Sequence, residues 1–303
     1  MRPARSLLIY GGIVFIGGAL LAPWLYWAVQ GLSPRFAILE GLASQPFHRY
    51  VHRSMLVLAL VGVPPFLRGL GLRRLQDVGL VKPAGQGRAL SGGLALGFTS
   101  LACVAAAVVA AGARALNTGV TAGRFLATLS SAALTAAVVS VIEEILFRGA
   151  IYGALRRSGR RGTALLTSSA VYALVHFFNR PPSPPEIDWA SGLGVLAGML
   201  QGFADVEQLV PGFLNLALAG GVLAVAYERT GNLTFSIGLH AGWIFWLKSY
   251  GALTRETAGA GAGFWGTGKL IDGWPALPVL ALVLWILWKR MPRSPTAVRT
   301  PLP

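Results

Sequence analysis

Five stretches of this 303-residue chain, near residues 7–29, 89–112, 125–147, 209–227 and 274–288, are each apolar for about the length that crosses a bilayer. A hydrocarbon core of ~30 Å takes roughly 20 residues of helix, and within it every backbone N–H and C=O needs a partner inside the protein. The constraint predicts an all-α, polytopic membrane protein. Shorter or broken runs at 51–67, 162–178 and 233–250 raise the expected number of transmembrane helices to about eight. With 54% hydrophobic and only 12% charged residues, the chain has the balance of a protein solvated mainly by lipid.

An even number of spans places both termini on one side, and the bias of Lys and Arg marks that side as cytoplasmic. Arg5, Arg68, Arg73, Arg74, Lys82, Arg88, Arg156, Arg157, Arg160, Arg161, Arg229, Lys289 and Arg290 fall there, as do Arg2 and the basic tail with Arg293 and Arg299. The acids Glu40, Glu186, Asp188, Asp205, Glu207, Glu256 and Asp272 lean to the other face. This topology accounts for the net charge of +15 without a nucleic-acid partner. The first run reads as a retained signal anchor, and the localisation it implies is a bacterial inner (plasma) membrane with cytoplasmic termini. The single cysteine, Cys103, cannot form an internal disulfide and reads as a packing residue.

Three regions follow along the chain. Residues 1–120 hold N-terminal membrane helices and a basic segment, 68–88, whose Arg-Arg-Leu-Gln-Asp-Val core predicts a short interfacial helix. Residues 121–250 hold nearly every polar group embedded in apolar sequence. Residues 251–303 hold a glycine-rich outer loop (251–268), the last span and the basic tail. A proline-rich stop after Asn179 cannot continue a helix.

The chemistry concentrates in the middle region. Glu143 and Glu144 end an uncharged run from Phe125 to Ile142, and carboxylates there are costly enough to be read as functional. On a helix Glu144 and Arg148 share a face and can pair, while Glu143 points about 100° away. Neighbouring carboxylates resist double ionisation, so an arginine on one drives their proton affinities apart and leaves the other to act as a base. His176 and His240 also stand in apolar surroundings. A turn at 158–162 lies midway between Glu143 and His176, so an antiparallel hairpin sets the two level, and His240 follows a second turn at 228–232. A carboxylate base with histidines near it is the equipment of water-mediated hydrolysis. His48 and His52 are four apart but flanked by Arg49 and Arg53 with no further ligand, which predicts a solvated loop.

The order Glu-Glu-x-x-x-Arg, aromatic-x-x-x-His and a later histidine span resembles the CPBP family, the type II CAAX prenyl endopeptidases with bacteriocin-processing and bacteriocin-immunity relatives. The resemblance covers residues 125–250. It implies an intramembrane protease acting on a membrane-associated protein or peptide. Glu143 with His176 would activate water, Glu144 and Arg148 would support the site, and His240 would help stabilise the oxyanion. Two positions depart from the family pattern: Tyr172 where phenylalanine is usual, and Ile244 where asparagine commonly follows the last histidine. An apolar residue at 244 also keeps open a non-catalytic scaffold or immunity protein of the same fold, and Trp243 is a substitute donor. Glu143, His176 and His240 would make a zinc set, but the resemblance equally supports a glutamate-dependent mechanism without metal, which is the favoured reading here.

Overall fold

The computed structural model describes residues 3–82, 84–178, 181–203, 206–259 and 261–291. Along the chain the helices are α1 (Pro3–Gly12), α2 (Gly18–Leu32), α3 (Glu40–Ala43), α4 (Phe47–Gly69), α5 (Gly87–Ala110), α6 (Ala122–Glu143), α7 (Gly153–Ser158), α8 (Arg161–Leu174), α9 (Ser191–Met199), α10 (Val206–Thr230), α11 (Thr234–Leu253), α12 (Ala262–Trp265) and α13 (Ala276–Arg290). Two wide-turned π segments, Ile13–Gly17 and Glu144–Tyr152, join α1 to α2 and α6 to α7. The only strands among the described residues are β1 (Arg114–Leu116) and β2 (Thr254–Glu256), paired antiparallel.

Among the described residues, five helical stretches are long and apolar enough to cross a membrane: Arg5–Leu32, Phe47–Gly69, Gly87–Ala110, Ala122–Arg157 and Leu209–Thr230. The remaining three expected spans form α8, α11 and α13. Helices α8 and α13 have 14 and 15 residues, short of a full crossing, and α11 carries polar residues such as His240, Lys248 and Ser249 along its length.

Packing divides the chain into two compact units, residues 1–72 with 177–205 and residues 73–176 with 206–303. In the first, small residues bring helices together: a Cβ on Gly18 would overlap the Met55 backbone, and one on Gly192 would overlap the Ala19 carbonyl. Ala19, Ala22, Phe47, Val51, Met55 and Met199 fill the interior. His48 and His52 do not sit in a loop, as the sequence predicts, but in the opening turns of α4, which Pro46 starts; their rings meet edge to face at 6.4 Å.

The second unit is organised by a glycine seam. Gly93 and Gly97 on α5 face Gly238 and Gly242 on α11, and a Cβ at any of the four would overlap backbone of the other helix. Small residues at this spacing let helix backbones touch, the main source of packing gain where lipid competes for apolar contact. Cys103, on α5, is free and exposed rather than a packing residue. The glycine-rich loop contains more order than its composition suggests, namely β2 and α12. Arg114 explains the pairing there: its Nε donates to Thr254 Oγ1 at 2.8 Å, and its guanidinium lies 3.2 Å from Glu256.

The expected interfacial helix within 68–88 is a single 3-10 turn, Leu75–Val78. Asp77 accepts from the backbone N–H groups of Arg74 and Arg73 at 2.8 and 2.9 Å, and Gly79, at φ 83°, stops the turn. These backbone bonds, with Arg74 leading, hold the Asp77 carboxyl below its usual range. Leu233 N–H donates to Gly79 O at 2.9 Å, and Val78 lies where a side chain on Gly149 would go. The segment is therefore a plug beside the π segment Glu144–Tyr152. The basic tail, 292–303, and the Asn179-Arg pair of the proline-rich stop lie outside the described residues.

Candidate functional site

Glu143 is the last residue of α6 and Glu144 the first of the π segment. Such widened turns occur mostly at functional sites. Here the widening falls where two carboxylates and an arginine leave the same stretch of chain. Gly149, against Val78, allows the segment to be seated closely.

Glu144 and Arg148 are the buried pair. Their side chains are 0% and 2% exposed, with Arg148 Nη1 3.0 Å from Glu144 Oε1. Arg148 Nη2 donates to Gly220 O at 3.5 Å, and its guanidinium lies over the Tyr172 ring at 4.4 Å. The same Glu144 oxygen is 3.0 Å from His240 Nδ1. Helix α11 presents His240 inward because its glycines, two residues away on either side, turn the opposite face to α5.

Glu143 differs. Its side chain is 24% exposed, and its Oε2, like that of Glu144, is buried with no hydrogen-bond partner. That oxygen lies 3.7 Å from His240 Nε2 and 3.9 Å from His176 Nε2. His176, in the 3-10 turn after α8, is anchored by Nδ1, 2.7 Å from Tyr172 O. A carbonyl only accepts, so Nδ1 carries a hydrogen and the lone pair of neutral His176 is on Nε2. His240 Nδ1 meets Glu144 Oε1, the oxygen that Arg148 Nη1 also approaches at 3.0 Å. The Nε2 atoms of both histidines therefore face Glu143.

All five residues singled out from the sequence thus meet in the second unit. A sixth, Tyr172, enters the sequence reading only as a departure from the usual phenylalanine; its hydroxyl is 3.2 Å from His240 Nε2. The signal was its hydroxyl in an otherwise apolar stretch of α8. The glycine seam also went unread, although two Gly-x-x-x-Gly spacings advertise it. Trp243 is not the spare donor proposed for it, because its Nε1–H is given to Ser100 Oγ at 2.9 Å. Ile244, one turn beyond His240, is 5% exposed.

Residues 124–246 match the family of type II CAAX prenyl endopeptidase Rce1-like proteins. No curated protein and no solved structure matches the chain. The matched stretch contains Glu143, Glu144, Arg148, Tyr172, His176 and His240. At family level the match supports an intramembrane protease of the CAAX type, and with the apolar helices it makes the chain a multi-pass integral membrane protein.

Zinc is the metal that two histidines and a glutamate would suggest. Zinc–nitrogen bonds of ~2.0–2.1 Å bring tetrahedral ligands to about 3.3 Å from one another. The separations of 3.7 and 3.9 Å around Glu143 are wider, and His240 Nε2 already faces the Tyr172 hydroxyl. Among the described residues no group of three His, Cys, Asp or Glu is arranged to hold a metal ion. The donors do not close into a zinc site.

Proposed function

We propose that the protein is an intramembrane endopeptidase that hydrolyses a peptide bond in a membrane-associated protein or peptide, with Glu143 as general base. The observation that carries this reading is the unpartnered Glu143 Oε2 between two histidine Nε2 atoms. A water there gives one hydrogen to Glu143 and the other to His176 Nε2, which leaves an oxygen lone pair free to attack. Glu143 takes the proton as the water oxygen bonds to the scissile carbonyl carbon. It then returns the proton to the amide nitrogen as the C–N bond breaks. Glu144 and Arg148 touch no reacting atom; they hold His240 by its Nδ1 so that its Nε2 faces the site, where it helps stabilise the oxyanion. The partial exposure of Glu143 and His176, against the burial of Glu144 and Arg148, supports access for a substrate on the Glu143 side. We place this site toward the cytoplasmic leaflet of a bacterial inner membrane, because the charge bias assigns the 158–162 turn to that side.

The test is cleavage of membrane-tethered peptides by purified protein in liposomes. Glu143→Gln is expected to lower the rate by at least ~100-fold, the scale of a lost general base, with the thermal midpoint retained. Equal rates in the two proteins overturn the mechanism. Cleavage is expected to persist in chelator, and inactivity that zinc restores would overturn the metal-free chemistry. Ile244 favours one other reading, a non-catalytic scaffold or immunity-type protein, whose cellular effect would survive Glu143→Gln.

A further inference from the structure

The first candidate span begins at Arg5 and the second ends at Gly69. Tyr10 stacks on Phe66 with ring centroids 4.8 Å apart, so these two ends lie side by side in the first unit. Between them is a cavity of about 290 Å³. Gly62 and Gly69 leave room for it on α4, and Ile9, Ile13 and Phe66 give it an apolar wall. Ile9 and Ile13 are exposed, so the groove opens sideways, where a membrane would surround the helices. It runs ~12 Å along the helix axis from the level of Arg5 to that of Ile13, at 1.5 Å per residue.

One group in that wall is polar and unmet. Ser6 is 8% exposed, and its hydroxyl has no hydrogen-bond partner among the described residues. The Tyr10 hydroxyl, by contrast, is given to Ala59 O at 2.8 Å. A hydroxyl that water does not reach calls for an acceptor. Arg5 and Arg68, both exposed, immediately precede Ser6 and Gly69 at the mouth of the groove. The only acid in the first 72 residues is Glu40, beyond the far end of α2, so no carboxylate of this stretch neutralises them.

We propose that this groove binds one anionic phospholipid, its acyl chain along Ile9, Ile13 and Phe66 and its phosphodiester at Ser6, near the charges of Arg5 and Arg68. Basic pockets between membrane helices at their cytoplasmic ends take anionic head groups, and a hydroxyl given to a phosphate oxygen makes a charge-assisted bond. A bare hydrocarbon chain would cover the wall and leave Ser6 and both arginines unused. Free phosphate would engage those three and leave the wall uncovered. An anionic phospholipid joins the two chemistries in one molecule. The site lies wholly in the first unit and does not depend on the hydrolytic reading.

The experiment titrates dioleoyl phosphatidylglycerol and dioleoyl phosphatidylcholine onto the full chain in detergent and reads bound lipid by native mass spectrometry. The first phosphatidylglycerol is expected to bind about tenfold tighter than phosphatidylcholine or better. Arg5→Ala/Arg68→Ala should weaken it by ~25-fold, about fivefold per charge. Arg88→Ala/Arg160→Ala, which removes as much exposed charge elsewhere, should leave it within about twofold. Gly69→Leu should lower the affinity by about tenfold or more, because a Cβ there meets nothing within 4 Å and the side chain can fill the groove. Ser6→Ala, which removes a single oxygen atom, should cost about tenfold and keeps the test decisive if Gly69→Leu does not fold. Equal affinity of the wild type for the two lipids overturns the proposal, since the groove would then hold ordinary bilayer lipid. So does equal weakening by the two arginine pairs, which would assign the preference to net charge. A diazirine on the acyl chain of phosphatidylglycerol should label peptides containing Ile9, Ile13 or Phe66; labelling confined to other peptides overturns the location.

Discussion

The second unit holds two carboxylate centres, and they are built in opposite ways. Glu228, near the end of α10, has both oxygens engaged: Tyr152 Oη and Arg156 Nε donate to Oε1 at 2.5 and 3.0 Å, and Arg161 Nε donates to Oε2 at 2.6 Å. It ties the turn between α7 and α8 to α10. Glu143 lies on the same stretch of chain as Tyr152 and Arg156, yet its Oε2 has histidines nearby and no hydrogen bond. A carboxylate with its lone pairs filled holds structure together. One with an oxygen left open beside two imidazole nitrogens is free to meet a water or a substrate, and the price is a buried polar group left unsatisfied.

The sharpest way to break this comparison uses the adjacent glutamates. Glu143→Gln is expected to lose activity and keep stability. Glu144→Gln, which leaves Arg148 buried at 2% exposure without its counter-charge, is expected to lose on the order of 3–5 kcal/mol of stability. Thermal or denaturant unfolding in detergent reads both. If the two variants unfold alike, the division of labour between the neighbours is wrong.

Glu228→Gln should come next, with a loss of about 2–3 kcal/mol, smaller because Arg156 and Arg161 are 27% and 30% exposed and water can replace part of what they lose. Its activity loss is expected to track unfolding and to disappear at low temperature, where the loss in Glu143→Gln persists. A Glu228→Gln protein that is stable but inactive would move that centre into the chemistry.

How much of this was legible in the sequence depends on the range of the interaction. Glu144 and Arg148 are four apart on one segment, so their pairing followed from helical spacing. The meeting of Glu143 with His176 followed from counting residues to a turn. What spacing alone did not carry were contacts between elements far apart in the chain: Tyr172 with His240, Trp243 with Ser100, Arg114 with Thr254. The π segment was hidden as well, because its sequence is an ordinary apolar helix and the seating of Gly149 against Val78 shows only in the fold. Likewise the 68–88 segment reads as amphipathic, but Gly71 and Gly79, both at positive φ, cut it to one turn.

The glycine seam offers a smaller test, because it positions His240 without touching the chemistry. Gly97→Ala would push a Cβ into the Leu239 carbonyl, and backbone on both sides leaves no flexible side chain to yield. An overpacking cost of about 1–3 kcal/mol is expected. Gly92→Ala, whose Cβ would meet only the Phe235 ring edge at 3.8 Å, should be neutral or better, since alanine favours helix. Equal stability of the two variants would mean that the seam does not set the α5–α11 distance.

The smallest effect concerns Asp77, a structural carboxylate of the Glu228 kind, satisfied by backbone N–H groups rather than by arginines. Its carboxyl is held below the ordinary range, chiefly by the Arg74 amide. A group whose proton affinity is depressed by folding contributes stability above its unfolded pKa of about 4 and loses that contribution as pH falls through the folded value. The plug formed by Leu75–Val78 should therefore be fully docked at neutral pH and loosen below about pH 4. Hydrogen exchange at Leu233 N–H, which bonds Gly79 O, reads the docking directly. Asp77→Asn should flatten the pH dependence of that exchange between about pH 6 and pH 3. An unchanged acid dependence in the variant would assign the loosening to another group. Because Val78 backs Gly149, and Gly149 lies in the segment that Glu144 opens, the same experiment shows whether plug docking and the open carboxylate of Glu143 are coupled: if they are, activity falls with protection.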